Sequence, residues 1–300
     1  MHFNLSTLLT VGMLFASPSA FALNIFTCQP DWASLAKLHA PDADVFSATT
    51  AFQDPHYIQA RPSLITKMRK ADLVICSGAE LEVGWLPELQ RQSRNTKATA
   101  AGGGLFFVTE HVAVLDKHDH VDRSMGDVHA GGNPHVQFAV ADMVNISVAL
   151  TAKLQQLDPA SQADYAKAGE QFRHQWQQQM QVWKAKAKPL VGKHVVGYHT
   201  TYRYLFAWLG MEQVADLEPK PGVSPTMSHL ASLSKLDTRD TYAIVYATHQ
   251  TNDAATWLAQ RNHLPVVVLP QSVGGTDAAS DLFGLINNSI DLLLTPRSVN

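Results

Sequence analysis

The chain has 300 residues, which is enough to bury a sizeable core and to form one or two domains. A hydrophobic content of 46% and a charged content of 16% are typical of a soluble globular protein. The formal net charge of −3 argues against a surface for nucleic acid or an anionic membrane. The 14 histidines, beside 23 lysines and arginines together, hint at metal handling.

The first 22 residues, Met1–Ala22, predict a cleavable secretory signal peptide. An apolar run, Leu8–Ala16, is followed by the tripeptide Ala20–Ala22, which has the small-any-small pattern of a cleavage site. The run is too short to span a membrane. We therefore expect cleavage after Ala22 and an exported, soluble, periplasmic protein.

Short apolar runs alternate with helical patterns, which predicts parallel sheets with crossover helices. The strands predicted in the first half are Asn24–Cys28, Asp44–Ala48, Asp72–Cys76 and Leu105–Val108. The helices predicted there are Trp32–Leu38, Pro62–Lys70 and Glu80–Arg94. The strands predicted in the second half are His194–Tyr198, Gln213–Leu217, Ala243–Tyr246 and Val266–Leu269. The helices predicted there are Thr201–Leu209, Pro225–Leu236, Asp253–Arg261 and Ala278–Leu294. This pattern predicts an α/β fold of two similar lobes, each a four-stranded parallel sheet with flanking helices.

A long helical stretch is predicted between the lobes. Apolar residues recur at helical spacing in His135–Leu157, and the pattern resumes after an Asp-Pro interruption in Ala160–Ala187. A helix of about 27 residues extends about 40 Å. It either bridges both lobes rigidly or is an ordinary surface helix, and the lack of a Gly/Pro/Ser-rich linker favours the bridge. The expected divisions are the signal peptide 1–22, an N-terminal lobe 23–140, a helical connection 141–189 and a C-terminal lobe 190–300.

The two cysteines, Cys28 and Cys76, each end a predicted strand of the first lobe. An exported chain reaches an oxidising compartment, where such a pair can form a disulfide. The alternative is two buried free thiols. The absence of CxxC or CxC spacing argues against a zinc–thiolate site.

Three histidines each follow a predicted strand or turn: His56 in FQDPHY, His135 in GGNPHVQF and His199 in VVGYHTTYRY. In a layered α/β fold, strand ends and the loops after them gather along one edge. Convergent neutral imidazoles suit Zn²⁺ above all, whereas Mn²⁺ prefers more oxygen ligands. Any one of these histidines alone would fit a surface or core position, so the prediction depends on their shared placement.

The segment Glu110–Gly132 has no apolar periodicity and carries several metal-capable side chains. They are His111, His118, Asp119, His120, Asp122, Asp127 and His129. We expect a flexible surface loop that assists metal acquisition without forming the primary site. The alternative is a merely solvated polar loop.

Together these motifs resemble the periplasmic solute-binding proteins of zinc- and manganese-type ABC transporters, the cluster A-I family, and especially its zinc-type members. The family's first-ligand segment is similar to PH followed by RPS and ADLVICSGAELE in this chain. Its second-ligand segment is similar to GNPH, and its third is similar to YHTTYRYLFAWLG. EPKPGVSPT, at Glu218–Thr226, is also similar. The resemblance covers nearly the whole mature chain. It implies two lobes bridged by a long helix, with a metal ion held in the cleft by His56, His135 and His199.

The sequence departs from the family's pattern at the fourth ligand. Family members commonly carry a carboxylate just after the last strand, where this chain has Pro270-Gln271. The missing carboxylate strengthens the preference for zinc over manganese. The candidates for the fourth position are water, Asp277, His249 and His129.

The resemblance implies a monomeric receptor, not an enzyme, that delivers Zn²⁺ to the membrane permease of an ABC transporter. One alternative is an exported zinc-buffering chaperone or adhesin. Another is a zinc hydrolase, because three histidines and a water also form catalytic zinc sites. The sequence has no GxSxG or HExxH motif, and no carboxylate can be placed from it as the general base of a hydrolase.

Overall fold

The computed structural model describes residues 22–235 and 240–298, so the predicted signal peptide lies outside the described residues except for Ala22. The strands of the first sheet are β1 (Asn24–Thr27), β2 (Asp44–Ser47), β3 (Leu73–Cys76) and β4 (Leu105–Phe107). Those of the second sheet are β5 (His194–Gly197), β6 (Glu212–Asp216), β7 (Thr241–Ala247) and β8 (Val266–Leu269). All neighbouring strands are parallel, in the orders β2-β1-β3-β4 and β6-β5-β7-β8. The predicted fold class is confirmed.

Helices cover both faces of each sheet in the described part of the chain. Those before the second sheet are α1 (Pro30–His39), α2 (Pro62–Lys70), α3 (Leu86–Ser93), α4 (Met143–Leu157) and α5 (Gln162–Lys186). The others are α6 (Arg203–Leu209), α7 (Met227–Leu233), α8 (Asp253–Asn262) and α9 (Leu282–Leu294). Because both faces are covered, the strands are near-continuous apolar runs: Ile75 packs in the core cluster on one face and Val74 in the cluster on the other.

Two predicted helices begin six or more residues later than expected. The helix predicted at Glu80–Arg94 begins at Leu86, because Ala79 and Glu80 have φ angles of +45° and +67°, outside the right-handed helical region. The buried Glu82 carboxylate accepts hydrogen bonds from the amides of Ser77 and Gly78 in this turn. The helix predicted from His135 begins only at Met143, after a short 3₁₀ turn.

The long helix α5 contacts elements of both lobes. It has 25 residues, about 37 Å at 1.5 Å per residue. It packs against α1 and α4 on one side and against α9 on the other. Trp176 and Trp183 are fully buried, and their ring centroids lie 5.0 and 6.3 Å from that of Phe283 in α9. One hydrophobic core therefore runs continuously from the first sheet, past α5, to the second.

The lobes are also joined by buried polar contacts beside the cleft. Asp31, 1% exposed, accepts a hydrogen bond from the Ser272 hydroxyl at 2.6 Å and one from the Val273 amide at 2.9 Å. Burial raises the pKa of Asp31 to about 6, against the effect of these hydrogen bonds. The Gln137 side-chain amide donates to the Gln271 carbonyl at 3.1 Å. The segment after β8 is therefore fixed against the first lobe.

The two cysteines form a disulfide between neighbouring strands. Cys28 directly follows β1, Cys76 ends β3, and both are fully buried. The predicted pairing is confirmed, and the alternative of two free thiols is excluded. Within residues 22–235 and 240–298, no helix combines the length and apolarity required to cross a membrane.

Candidate metal centre

Four histidines from both lobes converge in the cleft. His56 lies in the connection after β2, His129 and His135 lie in the connection after β4, and His199 follows β5. The ring centroids of His135 and His199 are 5.2 Å apart, and that of His56 is 5.3, 5.8 and 6.2 Å from those of His129, His135 and His199. The structure therefore brings together the three histidines predicted from the sequence and adds His129.

Local contacts fix the turns that carry these rings. The Trp85 indole donates to the Pro55 carbonyl at 2.9 Å and holds the turn before His56. The Asn133 side chain accepts from the His135 amide at 3.0 Å and donates to the Thr200 carbonyl at 2.9 Å. The second contact links the His135 turn of the first lobe to the residue after His199 in the second.

Two carboxylates orient the imidazoles from behind. Asp54 Oδ1 lies 2.7 Å from His56 Nδ1, and Glu218 Oε2 lies 2.7 Å from His199 Nδ1. A carboxylate accepts, so each Nδ1 carries the hydrogen and each Nε2 keeps a lone pair for a metal ion. Burial opposes ionisation of Asp54, but the hydrogen bonds from His56 hold the pKa of this carboxyl below its ordinary value. The two carboxylates also offset the charge of a divalent cation.

The Nε2 atoms of the four histidines form two close pairs. His56 Nε2 lies 3.2 Å from His129 Nε2, and His135 Nε2 lies 3.2 Å from His199 Nε2. Two ligands of a tetrahedral zinc ion with Zn–N bonds of about 2.05 Å are about 3.3 Å apart. Each pair therefore has the spacing of two zinc ligands.

The two pairs of nitrogens do not surround one common point. Within the described residues, the compact group of three metal-capable donors, all within 4.8 Å of one another, is Cys28, Cys76 and Glu82. The two sulfurs of that group are joined in the disulfide and are not free to bind a metal. Binding of one ion by four histidines therefore requires a small approach of the two pairs.

Burial keeps the central imidazoles neutral near pH 7. Burial, with the neighbouring His199 and His56, lowers the pKa of His135 well below its ordinary value. Burial, with His56 and His199, lowers the pKa of His129 to about 4. Burial also lowers the pKa of His249. Neutral imidazoles present the lone pairs that metal binding needs.

The cavity at this centre is small. Its volume is about 40 Å³. It is lined by Asp54, His56, Asp127, His135, His199, Thr201, Glu218, Gly222, His249, Gln250 and Gln271. His129 lines a neighbouring cavity of about 240 Å³ that shares His199 and Asp127 with the first. The small cavity, with its imidazole lining, suits a monatomic cation.

The candidates for the fourth ligand take different places. His129 forms a close pair with His56, whereas His249 lines the small cavity from the second lobe. Asp277 is exposed and lines neither cavity. Gln271, at the position of the family's carboxylate, lines the small cavity, and its Oε1 is buried without a hydrogen-bond partner among the described residues.

The histidine-bearing loop has an exposed tip and a docked end. Asp119 and His120 are exposed, as expected of a surface loop. Asp127 accepts a hydrogen bond from the Tyr57 hydroxyl of the first lobe and donates its amide to the Pro221 carbonyl of the second, at 2.8 Å. The loop therefore places His129 at the centre, a contribution that sequence reasoning left as one of four alternatives.

No role was predicted from the sequence for Asp54 or Glu218. Asp54 stands two residues before His56, and its side chain accepts from the His56 amide at 3.0 Å, an Asx-turn contact that the DPH tripeptide could have indicated. Glu218 opens the EPKPG motif, but it is 19 residues from His199, and no local pattern pairs the two.

The sequence profile of the family "Zinc-uptake complex component A periplasmic" matches residues 25–295. The high-affinity zinc uptake system protein ZnuA of Yersinia pestis is 24% identical over 190 residues, 59% of this chain and 59% of that protein. The ZnuA protein of Bacillus subtilis (strain 168) is 23% identical over 198 residues, 64% of this chain and 60% of that protein. The chain thus matches about three fifths of the length of these relatives.

Solved structures show the same fold. A crystal structure of ZnuA has a TM-score of 0.75 at 17% identity, covering 91% of this chain and 100% of that chain. The Mn-bound periplasmic metal binding protein from Candidatus Liberibacter asiaticus has a TM-score of 0.74 at 17% identity, covering 90% and 97%. At these identities the likeness establishes the fold alone.

Proposed function

We infer the function of this chain from its family, because the chain belongs to the periplasmic component A family of zinc-uptake complexes. We propose that it is exported, captures Zn²⁺ in the cleft between its lobes and delivers the ion to the membrane permease of an ABC transporter. We propose a monomer without enzymatic activity, organised as lobes 23–140 and 190–300 with a helical connection 141–189.

The convergence of four imidazoles from both lobes in the cleft supports this function. We propose that His56, His129, His135 and His199 bind the ion through Nε2, with Asp54 and Glu218 holding the rings of His56 and His199. The first lobe contributes three of these ligands and the second contributes one. Neither lobe alone completes a four-coordinate site.

The donor set favours zinc over manganese. The carboxylates that line the cavity are already engaged: Asp54 by His56, Glu218 by His199 and Asp127 by Tyr57. Nitrogen ligands in tetrahedral array suit Zn²⁺, whereas Mn²⁺ prefers octahedral oxygen ligands. The same engagement leaves no free carboxylate in the cavity as a general base, which disfavours a zinc hydrolase.

Calorimetry on the metal-stripped protein tests the site. We expect one tight Zn²⁺ per chain, much weaker Mn²⁺ binding, and a loss of at least about 100-fold in zinc affinity for His56→Ala, His135→Ala or His199→Ala. His229→Ala, in the second lobe outside the cavity, is the matched control and should bind as the wild type does. Near-native affinity in a ligand variant would remove that residue from the site.

Transport distinguishes the receptor from a zinc-buffering chaperone or adhesin, which would bind the ion equally well. The zinc-loaded protein should stimulate ATP hydrolysis by the cognate transporter in proteoliposomes, and the loaded His229→Ala control should do the same. Tight zinc binding without any stimulation would favour the buffering alternative.

A further inference from the structure

A fifth histidine, His249, is anchored at the edge of the second sheet. It lies two residues after β7, which is flanked by β5, the strand before His199, and by β8, the strand before Gln271. The Thr248 amide donates to the Leu269 carbonyl at 3.0 Å, and the Gln250 side chain accepts from the Ala247 amide at 2.8 Å. These bonds fix the turn and place His249 between the two segments that already border the metal cavity.

Two buried polar atoms on this side of the cavity lack partners among the described residues. His249 Nδ1 and Gln271 Oε1 are both buried without a hydrogen-bond partner among the described residues. Gln271 is only 5% exposed. A buried polar atom without a partner is costly, and in a native fold it calls for a specific explanation. Both residues line the small cavity, where a cation would give these atoms a partner.

Zinc takes four ligands, but five histidines surround this centre. His129 and His249 approach it from different lobes. His129 comes from the loop, lines the larger outer cavity, and is held through Asp127 by contacts with Tyr57 and Pro221. His249 comes from a turn bonded to the sheet. His129 can therefore leave when the loop is released, whereas His249 stays in place.

We propose that His249 is an exchange ligand, which binds the ion through Nδ1 when the loop carrying His129 moves away. The inference rests on the proposed zinc-capture function and adds a second coordination state to it. His56, His135 and His199 remain bound in both states. The exchange breaks one Zn–N bond and forms another between neutral imidazoles, so it changes neither the charge nor the proton count of the site.

A double-mutant cycle tests the exchange. Zinc affinity is measured by chelator competition for the full chain, His129→Ala, His249→Ala and the double variant, with His229→Ala as the control. If either histidine can serve as the fourth ligand, each single variant keeps a tight site. The double variant should then lose about tenfold or more beyond the product of the two single losses. X-ray absorption at the zinc edge should count four imidazoles in each single variant and three in the double variant.

The proposal would be overturned if the affinity loss of the double variant equalled the product of the two single losses within about twofold. A count of three imidazoles in His129→Ala would overturn it as well. Failure of the proposed function would be seen separately, as weak zinc binding by the wild type and no effect of His135→Ala. If His249→Ala does not fold, as judged by circular dichroism, His249→Gln replaces it in the cycle. A wild-type zinc affinity for the double variant His129→Ala/His249→Gln would also overturn the proposal.

Discussion

The two lobes share a strand order but contribute to the centre in different ways. In the first lobe, His56 lies within the connection 48–61, and His129 and His135 lie within the connection 108–142. In the second lobe, His199 and His249 each lie two residues after a strand. A short turn bonded to a sheet fixes its side chain, whereas a long connection relies on side-chain contacts. The ligands of the second lobe are thus fixed by its sheet, whereas those of the first lobe are held by side-chain contacts.

The first lobe also carries a disulfide and a fully buried glutamate, which have no counterpart in the described part of the second lobe. Cys28 and Cys76 cross-link β1 and β3. Next to them, the buried Glu82 carboxylate accepts from the Gln29 side chain at 2.8 Å as well as from two backbone amides. Trp85, whose indole donates to the Pro55 carbonyl in the turn before His56, packs in the same core cluster as both cysteines. We interpret it as the support that offsets the longer connections of the first lobe.

Among the changes considered, removal of the disulfide should have the largest effect, because it lowers the stability of the first lobe alone. Replacing Cys28 and Cys76 by Ser frees a segment with a sequence separation of 48, for which loop closure predicts a loss of about 4 kcal/mol in the free energy of unfolding. Urea denaturation, monitored by circular dichroism, measures this loss in the double Ser variant. The wild type with its disulfide reduced should show the same loss. The loss should come from the first lobe, so an unchanged midpoint would refute the reinforcing role of the bond.

The sequence predicted the sheets better than the site. All eight described strands were predicted to within two residues at either end, because strands covered on both faces are short apolar runs. His56, His135 and His199 were found because each follows such a run or a proline turn. His129 remained one of four alternatives, because its place depends on contacts of Asp127 with both lobes. Such contacts between segments far apart in sequence leave no periodic pattern.

Acid should weaken the attachment of the first lobe to the helical connection. His39 in α1 is fully buried; its Nδ1 lies 2.9 Å from the Leu35 carbonyl and its Nε2 2.7 Å from the Ser147 hydroxyl of α4. Burial lowers the pKa of His39 to about 4. The unfolded chain therefore takes up a proton at a higher pH than the folded chain does. Stability is fully present above the unfolded pKa of about 6.5 and is lost as pH falls towards 4, by about 3 kcal/mol.

Urea denaturation from pH 7 to pH 4 measures this loss. His129 and His135 also have lowered pKa values, so the difference between the wild type and His39→Gln isolates the contribution of His39. The variant should be less stable at pH 7 but should show a pH dependence smaller by about 3 kcal/mol. His174→Gln, an exposed position on α5, is the control. Parallel pH curves for the wild type and His39→Gln would contradict the assignment.

The shared core along α5 should keep the lobes from closing widely on the metal. Trp176 and Trp183 pack in one cluster with Phe283 of the second lobe, and the Asp31 contacts join the lobes beside the cleft. Hinge closure requires a few residues that absorb large backbone changes, and a continuous helix offers none. Small-angle scattering of apo and zinc-loaded protein should show almost the same radius of gyration. A large decrease on zinc binding would show that the lobes close as rigid bodies.

The exposed histidine at the tip of the first-lobe loop should have the smallest effect on the primary site. His120 is exposed, with its ring 4.0 Å from the Asp122 carboxylate, and lines neither cavity at the centre. An exposed side chain of this kind can bind an ion only weakly, because bulk water competes for each ligand position. His120→Ala should therefore leave the tight zinc affinity unchanged within about twofold and reduce only weak additional binding in calorimetry. His129→Ala, in the docked end of the same loop, should weaken zinc binding by more than His120→Ala does, although the site stays tight through His249. If the exposed tip proved as important as the docked end, the division of the loop into these two parts would be wrong.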